Sequence, residues 1–135
     1  MWSKKPATDA PPYLDTAYLE RLQKHLGEDV TRELMADGML ELSDRLDRVE
    51  HLAEKQQVGE LRRLTHDIAG AAGHLGLSAL SFHAAEANRA LRDDSPQPAK
   101  GVMKAMLECR AQSLDSLAAF CKIGVGQLAD HPSVS

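Results

Sequence analysis

Aromatic residues and cysteines are scarce in this chain of 135 residues. Aromatic side chains make up only 4 % of it, whereas 43 % is hydrophobic, largely alanine and leucine. Strands are usually rich in β-branched and aromatic residues, so this composition favours helices. The two cysteines, Cys109 and Cys121, do not have the spacing of a zinc-binding pair, and without a secretory signal we expect both to be reduced thiols.

Long apolar runs and an excess of positive charge are also missing. No segment approaches the ~20 apolar residues that span a bilayer, and the N-terminal MWSKKPATDAPPY lacks the apolar core of a signal peptide. A net charge of −4 and a pI near 5.8 argue against nucleic acid or an anionic membrane as the main partner. We therefore expect a soluble cytoplasmic protein with a single domain.

The familiar patterns of catalytic and metal-binding sites are absent. No glycine-rich phosphate loop, nucleophile elbow or cysteine–histidine pairing occurs. The six histidines include no H-x-x-x-H or E-x-x-H pair of the kind that binds metal in a helical bundle. His66 and His74 would lie ~12 Å apart along a helix, too far for one ion. We therefore expect no metal site, no cofactor and no autonomous enzymatic activity.

Helical periodicity extends over residues 13–122. Residues 1–12 hold three of the six prolines and are predicted to be a flexible lead-in, and residues 123–135 a flexible tail. Between them, apolar residues recur at the spacing of a buried helical stripe. This pattern predicts a short first helix that is capped by Asp15 or Thr16 and ends at Gly27. It then predicts four longer helices over about 28–54, 58–74, 79–92 and 99–122.

The predicted helices assemble through one apolar stripe each. The main inward residues are predicted to be Leu19, Leu22 and Leu26; Met35, Met39, Leu42, Leu46, Val49 and Ala53; Leu61, Leu64, Ile68 and Leu75; Leu80, Ala84, Ala87 and Leu91; and Val102, Met106, Cys109, Ser113, Leu117 and Phe120. Gly38 predicts a close helix contact, Gly76 a left-handed helix end and Ser78 the cap of the next helix. Short connections favour antiparallel neighbours. The expected fold is all-α, an antiparallel up-down-up-down four-helix bundle with an extra short N-terminal helix across one end.

The third predicted helix contains the segment LRRLTHDIAGAAGHLG, residues 61–76, and displays one histidine on its polar face. At ~100° per residue, His66 points about 160–200° away from the apolar stripe. Its neighbours over the next two turns are small: Ala69, Gly70 and Gly73. A glycine inside a helix costs ~1 kcal/mol relative to alanine. Gly73 has the alternative explanation that it belongs to the fraying end of the helix, but Gly70 does not, because the apolar stripe continues past it, and it predicts that something large approaches His66 closely. A neutral imidazole is a nucleophile that can carry a covalent group.

The segment from His66 to Gly76 resembles the signature of histidine-containing phosphotransfer (HPt) domains, approximately H-x-[LIF]-K-G-[SA]-[SA]-x-x-[LI]-G. The matching residues are His66, Ile68, Gly70, Ala71, Ala72, Leu75 and Gly76. The departure is Ala69, where the family usually has a lysine that helps to balance the phosphate's charge. Arg62 or Arg63, one turn towards the N-terminus, are candidates to replace it. In helix order the resemblance covers roughly residues 14–121 and implies an HPt-like bundle.

The resemblance implies a phosphorelay carrier. A phosphorylated receiver aspartate would dock over Ala69, Gly70 and Gly73, and His66 would accept the phosphoryl group and pass it to another receiver. Phe82, expected to be exposed on the next helix, would extend this docking surface. The implied partners are the receiver domains of a hybrid histidine kinase and a response regulator. These supply Mg²⁺, so the chain itself, expected to be a monomer, needs no cofactor.

Two alternatives remain open from the sequence. One is an HPt-like module that docks on a kinase or receiver domain without carrying phosphate, which the loss of the lysine at Ala69 supports. The other is a dimerising domain with its own ATP-dependent kinase partner, which would require two chains to share a bundle. Acid-labile, base-stable phosphate on His66 would distinguish the carrier from the binding module, and sedimentation would distinguish a monomer from the dimer.

Overall fold

Seven helical segments make up most of the part of the chain that the computed structural model describes, residues 10–92 and 99–122. They are α1 (Thr16–Leu26), α2 (Glu28–Glu54), α3 (Val58–His74), α4 (Ser78–Arg92), α5 (Ala99–Val102), α6 (Lys104–Glu108) and α7 (Arg110–Cys121). The predicted all-α class is confirmed. None of these helices is long and apolar enough to cross a membrane. The predictions for residues 1–9, for the break at 93–98 and for the tail at 123–135 lie outside the described residues.

A cap and two glycines set helix ends where the sequence predicts them. The Asp15 carboxylate accepts a hydrogen bond from the Tyr18 amide at 3.1 Å and caps α1. Gly27 and Gly76 have φ of +88° and +74°, values that favour glycine. After α3, the Leu77 amide bonds back to the Ala72 carbonyl at 2.8 Å, the bond that typically accompanies a left-handed helix end. This tight turn starts α4 at Ser78 itself, so Ser78 is its first residue and not its cap.

The predicted fifth helix is interrupted twice. Met103 and Cys109 separate α5, α6 and α7 and have ψ of −8° and 0°, at the edge of the helical region. The Cys109 amide donates to the Ala105 carbonyl at 3.2 Å and its carbonyl accepts from the Ser113 amide at 3.0 Å, so the backbone bonds continue across Cys109. The Met103 carbonyl likewise accepts from the Leu107 amide at 3.0 Å at the start of α6. The apolar spacing runs through both residues without a break, and for this reason the sequence did not reveal the interruptions.

A single core lies between the helices and is built from the predicted stripes. All six predicted inward residues of α2 are buried, as are Leu61, Leu64 and Ile68 of α3 and Leu80, Ala84 and Ala87 of α4. Leu22, Leu91, Val102 and Phe120 are partly buried against this core, and Leu26 is the one predicted inward residue that is exposed, at 41 %. It is the last residue of α1 and lies one turn beyond Leu22, which is the last of the three predicted α1 residues to pack against the core.

Contacts between neighbouring helices show that they alternate in direction. A Cβ on Gly38 of α2 would lie 2.6 Å from Leu75, which confirms the predicted close approach. At the other end of the same pair, Arg48 of α2 lies 3.8 Å from Glu60 of α3. Residue numbers that rise along α2 therefore meet numbers that fall along α3. The α3–α4 pair is the most extensive in the bundle.

Two arginines join α7 to α2 and close the bundle. Arg110 lies 2.7 Å from the Asp47 carboxylate and donates to the Ser43 hydroxyl at 2.8 Å. Arg32 donates to the Cys121 carbonyl at 3.2 Å. These contacts again run antiparallel, which completes the predicted up-down-up-down order.

Helix α1 fastens the C-terminal end of α3. The Tyr18 hydroxyl donates to the His74 carbonyl at 2.7 Å, and the Asp15 amide donates to the Gly76 carbonyl at 2.9 Å. Leu19 is fully buried against Gly76, where an added Cβ would come within 3.0 Å of it. The end of α3 is therefore fixed by α1 and α2 together, and this arrangement sets the position of the helix that carries His66.

Candidate functional site

His66 lies midway along α3 on the side that faces away from the core. Its side chain is exposed, whereas Leu64 and Ile68, two residues to either side, are buried. The alternation follows from the helical geometry, which turns these side chains ~200° away from the histidine. The imidazole is therefore accessible to another protein, as the sequence predicts.

The surface beside His66 is open helix backbone. A Cβ on Gly70 would meet no other atom within 4 Å, and one on Gly73 would meet only the Ser81 hydroxyl at 3.6 Å. Ala69, the third residue of this predicted docking surface, is half-buried. Unlike Gly38 and Gly76, neither Gly70 nor Gly73 is required by a close contact within the chain. This observation supports the expectation that the glycines make room for a partner.

The predicted supporting cations, Arg62 and Arg63, lie one turn N-terminal to His66 and are both exposed. Four other arginines of the bundle, Arg32, Arg48, Arg89 and Arg110, lie within 4 Å of a carboxylate, for example Arg89 at 2.7 Å from Glu86. An exposed guanidinium is well hydrated, so we expect its attraction for a negative charge near His66 to be weak.

Three polar residues that the sequence analysis did not single out connect α4 to α3 around His66. The Ser81 hydroxyl donates to the Ala69 carbonyl at 2.8 Å. The Asn88 amide donates to the Arg62 carbonyl at 2.7 Å and to the Thr65 hydroxyl at 3.1 Å. Ser81 and Asn88 are seven residues apart and so lie on one face of α4. This spacing was the only indication in the sequence that the two side chains could contact the same neighbouring helix.

A groove of about 460 Å³ opens between α1, α2 and α3 on the α2 side of His66. Its lining includes apolar residues from all three helices, among them Leu22, Leu34 and Ala71, together with His74. Ala71 and His74 lie five and eight residues after His66, which is ~8 to ~12 Å along the helix. Leu34 in this lining is 48 % exposed; Val30, one turn before it on α2, is 51 % exposed, and Leu26, the last residue of α1, is 41 % exposed. The four-residue spacing of these three residues is visible in the sequence, but Leu26 was predicted to lie in the core, and the three were therefore not recognised as exposed.

Phe82 does not extend the open surface in the predicted way. It is half-buried, and its ring meets that of His83 edge-on at 5.3 Å. It follows Ser81, whose hydroxyl faces α3, and therefore points ~100° away from that contact. The prediction that Phe82 is exposed is wrong, because it underestimated the cover from neighbouring side chains; its part in docking stays a prediction.

The thiols are poorly placed for chemistry. Cys109 and Cys121 are free and buried, and burial raises the pKa of both, so they are protonated and weakly nucleophilic at neutral pH. In residues 10–92 and 99–122, no group of three or more histidine, cysteine or acidic side chains is arranged to hold a metal ion. Of the nucleophiles considered, His66 is the one with an exposed side chain and open space beside it.

Comparison with known protein families matches the Hpt domain over residues 33–120, which includes His66, all of α3 and α4 and most of α2 and α7, but not α1. No match was found among curated proteins or among solved structures. Hpt domains are phosphotransfer carriers and not kinases, and they interact with receiver domains of kinases and response regulators. With the match spanning well over half of its residues, the chain belongs to the Hpt domain family, whose members carry out histidine phosphotransfer in phosphorelays.

Proposed function

We propose that this chain is the histidine phosphotransfer protein of a multistep two-component phosphorelay, with His66 as the phosphoacceptor. It receives a phosphoryl group from the aspartate of one receiver domain and delivers it to the aspartate of another. The observation that carries the proposal is the exposed His66 ring beside the unobstructed backbone at Gly70. We further propose that it acts as a monomer in the cytoplasm.

The proposed transfer needs a positioned nucleophile and little else from this chain. Nε2 of the neutral His66 imidazole attacks the phosphorus of the aspartyl phosphate in line. The N–P bond forms as the P–O bond to the aspartate breaks, and the carboxylate leaves with the bonding electrons. Mg²⁺ held by the receiver neutralises charge on the phosphoryl oxygens. The reverse steps at a second receiver return His66 to its free state.

The receiver's footprint extends, in this proposal, from His66 across Gly70 to the groove. A typical interface covers ~800 Å² on each partner, a disc of ~16 Å radius, which reaches the groove ~8 to ~12 Å away along α3. The groove side offers exposed apolar residues at Val30 and Leu34. We therefore infer that an apolar face of the receiver rests on this side of α3.

Replacing Leu34 with aspartate tests this footprint. The change should weaken receiver binding roughly tenfold, because it places a charge in an apolar contact. It should leave the helix content unchanged, because Leu34 is 48 % exposed. Ala119→Asp is the control, since Ala119 is also an exposed apolar residue but lies on α7, which packs mainly against α2 and α4. Titration of each variant with an unphosphorylated receiver measures the effect; equal affinities for both variants would contradict the proposed footprint.

Neutralising Arg62 and Arg63 together tests whether they replace the lysine that Ala69 lacks. Arg62→Gln/Arg63→Gln should slow formation of the phosphohistidine or shorten its lifetime by a few-fold, because exposed cations stabilise an added charge by only ~1 kcal/mol or less. The effect should shrink at high salt, where such interactions are screened. Transfer kinetics at low and high salt provide the measurement, and a rate that is unchanged at low salt would reject this role.

The proposed function is tested by mixing the chain with a phosphorylated receiver. We expect phosphate on the chain that is labile in acid and stable in base, the behaviour of a phosphohistidine, followed by its transfer to a second receiver. A second candidate is an HPt-like module that binds without carrying phosphate, which Ala69 in place of the lysine favours. Tight receiver binding without any label on the chain would support this candidate and reject the carrier.

A further inference from the structure

Two side chains of α4 attach to the α3 backbone on either side of His66. The Ser81 hydroxyl donates to the Ala69 carbonyl at 2.8 Å, three residues after the histidine. The side-chain amide of Asn88 (Nδ2) donates to the Arg62 carbonyl at 2.7 Å, four residues before the histidine. Both acceptors are backbone atoms, so each bond fixes a turn of α3 itself and not a movable side chain.

The two carbonyls have a particular place in the helix. In an α-helix the amide of each residue bonds to the carbonyl four residues earlier. The Arg62 carbonyl is therefore the acceptor of the His66 amide, and the Ala69 carbonyl is the acceptor of the Gly73 amide. Asn88 and Ser81 thus donate to the same carbonyls that accept the backbone hydrogen bonds of His66 and Gly73, the first and last residues of the segment 66–73.

The Asn88 attachment is itself held in a network. Its amide also reaches the Thr65 hydroxyl at 3.1 Å. That buried hydroxyl donates back to the Leu61 carbonyl at 2.8 Å. Asn88 therefore contacts two groups of the turn that precedes His66, the Arg62 carbonyl and the Thr65 hydroxyl. Two contacts fix the orientation of this turn relative to α4 as well as its distance from α4.

The segment 66–73 lacks other support on its exposed side. Gly70 has no neighbour within 4 Å of the position that a Cβ would occupy. Glycine is among the weakest residues in a helix interior because it has the most backbone freedom to lose. The surface that must stay open for a partner is therefore the surface least able to hold the helix in place, and the neighbouring helix α4, which borders this surface at Ser81, has to supply that support.

We propose that Ser81 and Asn88 are positioning residues for phosphotransfer, which hold the glycine-containing turns of α3 so that the His66 imidazole meets the phosphorus in line. The inference rests on the proposed function. Both residues act through the α3 backbone. Because in-line transfer depends on geometry, and a displacement of ~1 Å can cost ~100-fold in rate, loosening this segment slows the transfer step while leaving the docking surface in place.

The variants Ser81→Ala and Asn88→Ala, alone and together, test the inference against Ser43→Ala. Ser43 provides the matched control because its hydroxyl also takes part in a 2.8 Å bond between helices, to Arg110, at the α2–α7 contact. Amide hydrogen exchange at His66 and Gly73 reports the local opening of α3 without any receiver present. The transfer rate at saturating receiver and the affinity for the unphosphorylated receiver separate positioning from docking.

We expect Asn88→Ala to speed exchange at His66 and Ser81→Ala to speed it at Gly73, each by roughly fivefold, the factor expected for loss of one hydrogen bond. The transfer rate should fall by a similar factor in each single variant and by at least ~10-fold in the double variant, with receiver affinity unchanged. Ser81→Thr keeps the hydroxyl and should restore the rate. Ser43→Ala should change neither exchange at these two amides nor transfer.

Several outcomes would overturn the inference. One is transfer by the single variants at the wild-type rate, and another is an equal loss in Ser43→Ala, which would indicate general destabilisation. A third is a loss of receiver affinity with the rate at saturation preserved, which would make the two residues part of the docking surface. If the wild-type chain itself accepts no phosphate, the proposed function fails, and the exchange measurements still decide whether Ser81 and Asn88 hold α3.

Discussion

Replacement of His66 with glutamine is expected to abolish phosphoryl transfer from a phosphorylated receiver. Glutamine retains a polar side chain of comparable length but lacks a nucleophilic ring nitrogen, so no N–P bond can form. Because the side chain is exposed, the free energy of unfolding should change by no more than ~0.5 kcal/mol. Retention of label on the chain after mixing with the phosphorylated receiver measures transfer, and circular dichroism measures helix content.

His51→Gln is the matched control for this change. His51 is an exposed histidine in the last turn of α2, and its replacement should leave labelling at the wild-type level. Full labelling of His66→Gln would place the phosphoacceptor at another residue. Loss of helix content together with loss of label would instead show that the histidine has a structural role, contrary to its exposed position.

Replacement of Gly70 with glutamine is expected to stabilise the protein and yet to impair it. The position is open and helical, so the added side chain meets no clash and removes the conformational freedom of glycine. The free energy of unfolding should therefore rise by about 0.5–1 kcal/mol. The same side chain would occupy the space beside His66 that the receiver needs. A separation of ~1 Å between the reacting atoms can cost ~100-fold, and we expect a loss of that order in the transfer rate.

Gly101→Gln provides the comparison for Gly70→Gln. Gly101 is equally open but lies in α5, which packs against α2 and α4, so the change should leave transfer intact. Thermal unfolding and transfer kinetics on both variants separate the two effects. A Gly70→Gln protein that transfers at the wild-type rate would contradict the close approach of a partner at this position.

Sequence periodicity was sufficient for the parts of the structure that depend on a single helix. The buried stripe of α2 and the outward direction of His66 follow from 3.6 residues per turn. Gly38 was interpretable because a glycine inside an apolar stripe has few explanations, and its contact with Leu75 agrees with one of them.

Features that depend on the register between helices could not be obtained in this way. The bonds from Ser81 and Asn88 reach backbone carbonyls of α3, and a backbone carbonyl leaves no mark in the sequence. The groove needs three helices at once, because its lining includes Leu22 of α1, Leu34 of α2 and Ala71 of α3, and Leu26 is exposed because α1 ends there. Phe82 was misassigned for a different reason, because helical spacing gives the direction of its side chain but not the edge-on contact of its ring with that of His83, the next residue of α4.

The contact between Gly38 and Leu75 has a consequence for anyone who wishes to transplant this phosphoacceptor into another protein. Because the buried Leu75 side chain packs on the bare backbone of Gly38, where a single methyl group would displace its terminal carbon, this contact helps to set the position of α3 along α2 at a point more than two turns from His66. A peptide graft of residues 66–76 would carry the recognisable motif but lose that reference. A working transplant would have to include the α2 glycine as well as the histidine segment.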